Sequence, residues 1–221
     1  MTNFNDVVSQ FRIEGTVESV SPIGNGLINE TLRVKTVDAN TPDYILQRIN
    51  NAIFTDVDLL QHNIELVTDH IRHKLMEKGE TDIERKCLRF VQAKDGKTYY
   101  KDADNLYWRV SVFIPNAVTK EEVNPESAFC CGETFGNFQN MLVDLKEPLG
   151  ETIPDFHNME LRLRQLREAV SADKAGRVAS VKDMIAELES YADEMCLAER
   201  LYREGVLPKR ICHFDKKKKK K

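Results

Sequence analysis

At 221 residues the chain has room for one large domain or two small ones, with a sizeable buried core. With 41% hydrophobic and 31% charged residues it has the composition of an ordinary soluble protein, and no apolar run approaches the roughly 18 to 20 residues of a membrane-spanning helix. The formal charge of −4 includes six terminal lysines, Lys216–Lys221, so the body ahead of them is more acidic still and argues against nucleic acid as a partner.

Met1 to Gln10 are polar and acidic, without the basic start and apolar stretch of a signal peptide. Cys87, Cys130, Cys131, Cys196 and Cys212 form an odd set with no paired metal spacing, which fits a reducing compartment. The expectation is a cytoplasmic protein whose lysine run is a solvated tail, a tag or a coding accident.

The first third reads as strands. Thr31 to Val37 alternates apolar and polar residues, Tyr44 to Ile49 is β-rich on both faces, and the two suit a hairpin closed around Asp38 to Asp43. A helix follows, with Thr55 and Asp58 at capping-box spacing and Leu60, Ile64, Val67, Ile71 and Leu75 as its apolar face, until Gly79 stops the pattern. Further strands are expected over Cys87 to Gln92, Lys97 to Tyr100 and Leu106 to Ile114, separated by turns at Asp95 and Gly96 and at Asp102 to Asn105. Past Pro115 and Asn116 the chain turns helical. Ala128, Cys131, Phe135, Phe138, Leu142 and Leu145 make one apolar stripe. A second helix starts after Asn158, and a third after Ser180, capped by Ser180 and Asp183 with Ile185, Leu188 and Tyr191 facing inward, until Gly205 and Pro208 end the run. A strand-rich part followed by a helix-rich part, joined near Pro115, predicts an α+β fold of two lobes with a cleft between them.

Chemistry enters at Ile23 to Thr31, which contains Gly-x-Gly at Gly24 and Gly26, with Asn29 where a third glycine could stand. Glycines let backbone N–H groups approach phosphates, and they serve equally in a plain hairpin turn. A dinucleotide-binding fold or a Walker loop needs a helix directly after the glycines, whereas here a strand follows. Strand, glycine turn, strand is the kinase arrangement, in which the hairpin covers the nucleotide phosphates. Arg48 on the next β-run could pair with those phosphates, and Glu65 on the following helix could orient it. Gln47 is the adjacent residue, and a slip of one in register would exchange their faces. The alternative places Arg48 on a sheet surface and Glu65 on a solvated helix face.

Leu207 to Asp215 runs through a short apolar segment into His213-Phe214-Asp215. An aspartate here can accept the proton of an attacking hydroxyl. Six lysines then stand where the fold would supply an asparagine and later an aspartate for Mg²⁺.

With these pieces placed, the chain resembles the aminoglycoside phosphotransferase and choline kinase-like family, and within it the bacterial N-acetylhexosamine 1-kinases and related sugar kinases. The likeness lies in Gly24 to Thr31 (GNGLINET), Tyr44 to Asn50 (YILQRIN), Tyr107 to Ile114 (YWRVSVFI), Phe135 to Phe138 (FGNF), Glu151 to Asn158 (ETIPDFHN) and Leu207 to Asp215. The resemblance implies a protein-kinase-like two-lobe fold with a complete strand-rich N-lobe over residues 1–115. Only the first C-lobe helices follow over 116–215, with a lysine tail at 216–221. It implies Asp215 as catalytic base and Gly24, Asn25, Gly26, Asn29 and Thr31 as the phosphate flap. Arg48 and Glu65 become the cation and its partner, and Phe113 and Ile114 lie near the adenine-binding hinge. ATP and Mg²⁺ would be the cofactors of the full-length enzyme, with the Mg²⁺ ligands absent from this chain. The partners would be the nucleotide and a sugar-like acceptor, without nucleic acid or membrane, in an enzyme that is monomeric at full length. Phe214 and Lys216 depart from the family's His-Asn-Asp-Thr-Lys pattern. The chain is therefore expected to be a truncated, inactive fragment of such a kinase, or a non-catalytic nucleotide-binding module or scaffold that has lost its metal site.

Other candidates carry plainer readings. His70 and His73 share a helix face but have no third ligand, so no metal site is expected, Cys131 is a buried inert thiol and Trp108 belongs to the core.

Overall fold

Six antiparallel strands form the sheet in the computed structural model, which describes residues 3–23, 28–118 and 124–211. These residues fall into two units, one running to Thr152 and the other spanning Ile153–Ile211. In the first unit the strands are β1 (Val17–Pro22), β2 (Glu30–Thr36), β3 (Tyr44–Ile49), β4 (Phe90–Val91), β5 (Tyr100–Lys101) and β6 (Tyr107–Val112). Their order is β1-β2-β3-β6-β4, with β5 also paired to β6. Helix α1 (Phe4–Val8) precedes the sheet, and α2 (Val57–Glu77), the short α3 (Ile83–Lys86) and α4 (Pro125–Met141) complete the unit.

The register sorts side chains onto two unlike faces, because successive residues of a strand point to opposite sides. Leu32, Val34, Tyr44, Leu46, Trp108 and Val110 share one face and are essentially excluded from water. Val7, Val8 and Phe11 close over them, and Phe4 meets the Trp108 ring edge-on at 5.9 Å. On the other face the residues between them, Thr31, Gln47 and Arg109, stand in one row across β2, β3 and β6.

Turns hold this register. The β2–β3 hairpin is closed by Asp43, whose carboxylate accepts the Thr36 amide at 3.0 Å and pairs with Arg33 at 2.6 Å. The Arg33 guanidinium also lies over the Phe113 ring, 4.4 Å from its centroid. Between β5 and β6, Asp102 accepts the amides of Asp104 and Leu106, each at 2.9 Å, and the Trp108 indole N–H at 2.7 Å, while Asn105 takes a left-handed backbone with φ of 60°.

Helix α2 begins one residue later than the capping box predicts: Asp56, not Thr55, accepts the Leu59 amide at 2.8 Å. It ends as expected at Gly79, whose φ of 68° lets the amides of Gly79 and Glu80 return to the carbonyls of Met76 and Leu75. Helix α4 carries a capping box of Asn124 and Ser127, and its predicted stripe from Ala128 to Leu145 is the less exposed side of the segment. The sequence expects α4 to open the second lobe, but it falls in the same unit as the sheet. The chain after it docks on α2 through a reciprocal pair, Asn63 to the Gly150 carbonyl at 2.8 Å and the Gly150 amide to Asn63 at 3.1 Å.

Two expected strands are shorter than their sequence signals. Only Phe90–Val91 of Cys87 to Gln92 joins the sheet, because α3 occupies the residues just before Cys87, and β5 is the pair Tyr100–Lys101. The second unit holds α5 (Met159–Ala172), a 3-10 turn (Val178–Val181), α6 (Lys182–Ser190), α7 (Ala192–Met195) and α8 (Leu197–Arg203). Asn158 caps α5 as expected, but Ser180 donates to the Arg177 carbonyl instead of capping α6. Leu188 and Tyr191, expected to face inward, are 45% and 51% exposed. Two bidentate arginine pairs, Arg167–Glu189 and Arg203–Glu160, tie α5 to α6 and to α8.

Asp102→Ala leaves the buried Trp108 N–H and two turn amides without their acceptor, and is expected to cost about 2 to 4 kcal/mol in urea unfolding followed by circular dichroism. Burial works to raise the Asp43 pKa, but the Thr36 amide and the Arg33 guanidinium outweigh it, so the carboxyl sits below its ordinary 3.8. An acid lowered by folding stabilises the fold fully above its unfolded pKa, and that contribution is lost as pH falls through the folded value. Asp43→Asn should therefore flatten the fall of the urea midpoint as pH drops below about 4; an unchanged slope would assign the acid sensitivity to other carboxylates.

Candidate nucleotide site

Gly24, Asn25 and Gly26 lie outside the described residues, as does Asp215, while the chain on both sides of the glycines is placed. β1 runs up to them and β2 runs away antiparallel, with the Ile23 amide bonded to the Thr31 carbonyl at 3.0 Å. Asn29 accepts the Asn50 amide at 2.9 Å, and Asn50 donates to the Ile28 carbonyl at 3.3 Å, so the entry to β2 is fastened to the end of β3. The loop is thus followed by a strand, which is the feature that separates a phosphate-covering hairpin from a Walker or dinucleotide loop.

The expected pairing of Arg48 with Glu65 is not formed. Arg48 lies opposite Trp108 and Glu30, on the sheet face away from α2, and its Nε donates to the Glu30 carboxylate at 2.9 Å. Glu65 accepts instead from the Thr98 hydroxyl at 2.5 Å. The cause is register: the residue of β3 that shares the α2 face is Gln47.

Around Gln47 lies a run of polar contacts that sequence reasoning missed. Gln47 donates to Thr31 Oγ1 at 3.1 Å and accepts from Arg109 Nε and one terminal nitrogen at 2.9 and 2.6 Å. The other terminal nitrogen of Arg109 donates to Gln61 Oε1 on α2 at 3.1 Å. Gln61, 2% exposed, donates to the carbonyl and hydroxyl of Thr98, which in turn donates to Glu65. A continuous chain of hydrogen bonds therefore leads from the strand after the glycine loop, across the sheet, into the second and third turns of α2. Burial pulls the Arg109 guanidinium down to about 10, still far above neutrality, so it remains charged. The signal available in the sequence was Arg109 at an alternate position inside the apolar run of β6.

Phe113 and Ile114 follow β6. The Phe113 amide donates to the Asp43 carbonyl at 2.8 Å and its ring carries Arg33, while among the described residues no backbone group pairs with the amide or carbonyl of Ile114. His70 bonds to the Met141 carbonyl at 3.0 Å and to Asp144 at 3.1 Å, and His73 turns back to the Asp69 carbonyl at 2.8 Å. Three or more His, Cys, Asp or Glu side chains nowhere gather around one point among the described residues.

No protein-family model matches the chain. Among solved structures, the spectinomycin phosphotransferase APH(9)-Ia, in complex with ADP and spectinomycin, is similar at a TM-score of 0.54 and 12% identity. The alignment covers 97% of this chain and 63% of that enzyme, so the chain spans less than two thirds of the enzyme's length. A sheet of antiparallel strands with a glycine hairpin at one edge, joined to helices and superposable on that enzyme, has the α+β fold of kinase-like phosphotransferases.

Proposed function

We propose that this chain carries the nucleotide-binding part of an ATP-dependent phosphotransferase of the aminoglycoside phosphotransferase type, acting on a hydroxyl of a small molecule. The observation that carries the reading is the hairpin β1–β2. It brings the glycines between two antiparallel strands whose sheet is hydrogen-bonded to α2, within a fold shared with an enzyme solved with ADP. Backbone N–H groups of Gly24, Asn25 and Gly26 would face the phosphates, with Asn29 and Thr31 fixing the base of the loop. The unpaired backbone of Ile114 would meet the adenine edge, beside Phe113.

The transfer proposed is attack of the acceptor oxygen on the γ-phosphorus, with ADP as leaving group and Asp215 taking the hydroxyl proton. The likeness of GNGLINET, YILQRIN and ETIPDFHN to sugar kinases favours the anomeric hydroxyl of an N-acetylhexosamine as acceptor. The four described cysteines are free thiols, in keeping with a cytoplasmic enzyme. When bound, Mg²⁺ would neutralise charge on the phosphates. Exposed apolar residues of the second unit, among them Met184, Leu188, Tyr191 and Val206, support its being one side of a larger helical lobe.

The expected behaviour is therefore binding of ADP without appreciable turnover. Calorimetric titration with ADP and an assay of ATP consumption with N-acetylglucosamine check the two halves. Absence of ADP binding sinks the nucleotide reading. Substantial turnover by these 221 residues sinks the fragment reading, and binding indifferent to Mg²⁺ that stays silent when the catalytic segment is supplied favours a non-catalytic module.

A further inference from the structure

Four cationic side chains lie on the paired strands β2, β3 and β6. Arg33 is paired with Asp43, Lys35 with Glu18 and Arg48 with Glu30. Arg109 differs. Among the described residues no carboxylate lies within ion-pair distance of it, and its partners are the amide oxygens of Gln47 and Gln61 and the face of the Phe90 ring, 5.6 Å from its centroid, none of which carries a negative charge.

A carboxylate at either position would orient the guanidinium and cancel its charge; a carboxamide orients it and leaves the charge standing. Gln47 and Gln61 together use three of the five N–H donors of an arginine, so one on each terminal nitrogen is left for another acceptor. Leaving a mostly buried cation without an anion is costly unless something supplies the negative charge. The group shares a row with Thr31, on the strand that follows the glycine stretch in the sequence, and is tied to α2. A kinase-type phosphate cation needs such a tie, which Arg48 on the opposite face lacks.

We propose that Arg109, held by Gln47 and Gln61, is the cation that pairs with the nucleotide phosphates on this sheet, in place of Arg48. The proposal rests on the nucleotide reading above and adds to it the residue that recognises the charge. The relay through Gln61 and Thr98 to Glu65 makes α2 a support for the guanidinium, with Glu65 making no ion pair to it.

The test compares ADP with adenosine, which lacks the phosphates, by calorimetric titration of the whole chain. Arg109→Met should weaken ADP by about 10- to 100-fold and leave adenosine unchanged. Gln47→Glu keeps Arg109 and offers it a carboxylate that the Thr31 hydroxyl can also serve. This variant should lose about 10-fold or more of ADP affinity, again with adenosine unchanged, and melt no lower than wild type. Equal ADP affinity in wild type and both variants, or a parallel loss of ADP and adenosine, would make Arg109 a fastener between sheet and helix and overturn the assignment. Arg48→Met losing ADP selectively while Arg109→Met does not would return the role to Arg48. A wild type that binds neither ligand removes the nucleotide reading itself, and Arg109 as phosphate cation with it, an outcome visible before any variant is made.

Discussion

The arrangement of the first unit turns on a buried guanidinium held by neutral amides. Arg109 sits in the middle of β6, the strand that pairs with β3, β4 and β5, and its contacts with Gln47 and Gln61 fasten the sheet to α2. Apolar contact alone would permit the helix to slide along the sheet, because hydrophobic attraction has no direction. Hydrogen bonds with fixed geometry in a poorly solvated layer do not permit it, and a partly satisfied network there would cost more than an apolar one. The row Thr31, Gln47, Arg109 therefore sets the register of β2, β3 and β6 against α2 as well as against one another.

The opposite face does the thermodynamic work. Leu32, Val34, Tyr44, Leu46, Trp108 and Val110 lose nearly all contact with water against α1 and the residues after it. Burial of this kind supplies on the order of 25 cal/mol per Å² of apolar surface, which is how a sheet can carry a charged row on its other side and still fold. One sheet thus presents two unlike faces: an apolar one towards α1, and one towards α2 that combines the polar row with a smaller apolar cluster around Ile49, Val57 and Tyr99. Arg33, stacked on the Phe113 ring and paired with Asp43, continues the polar side towards the end of β6.

Much of this was legible in the sequence, and what was not has a physical pattern. β3 falls on Tyr44–Ile49 as read, and α2 ends at the glycine that marks its stop, since both signals are local: period, β-branching and a residue that tolerates positive φ. β4 and β5 were overestimated because two-residue strands exist only through their partner β6, and no local preference records that. Arg48 drew attention as a cation on a strand beside a glycine loop. Which face it takes depends on pairing with β6, and one residue of register gave that face to Gln47. A single charge inside YWRVSVFI carries no mark of burial until α2 is seen to bond to it, so Arg109 is legible only in the fold. Of the helices after Asn158, α5 starts at its expected cap, while the single helix expected after Ser180 is a 3-10 turn and three short helices without that cap; Leu188 and Tyr191 are exposed in the second unit, so periodicity identifies helix without identifying what covers it. The catalytic half of the candidate site, Asp215 above all, stands outside the described residues.

Trp108 is the chain's single tryptophan, and it neighbours Arg109 on β6 while pointing to the other side of the sheet. Its indole is packed among aliphatic and aromatic side chains and donates its N–H to Asp102. An indole so placed emits at shorter wavelength than one in water. The molecule therefore contains an intrinsic fluorophore on the very strand that bears the buried charge, shielded by the sheet from direct quenching by whatever settles on the opposite face.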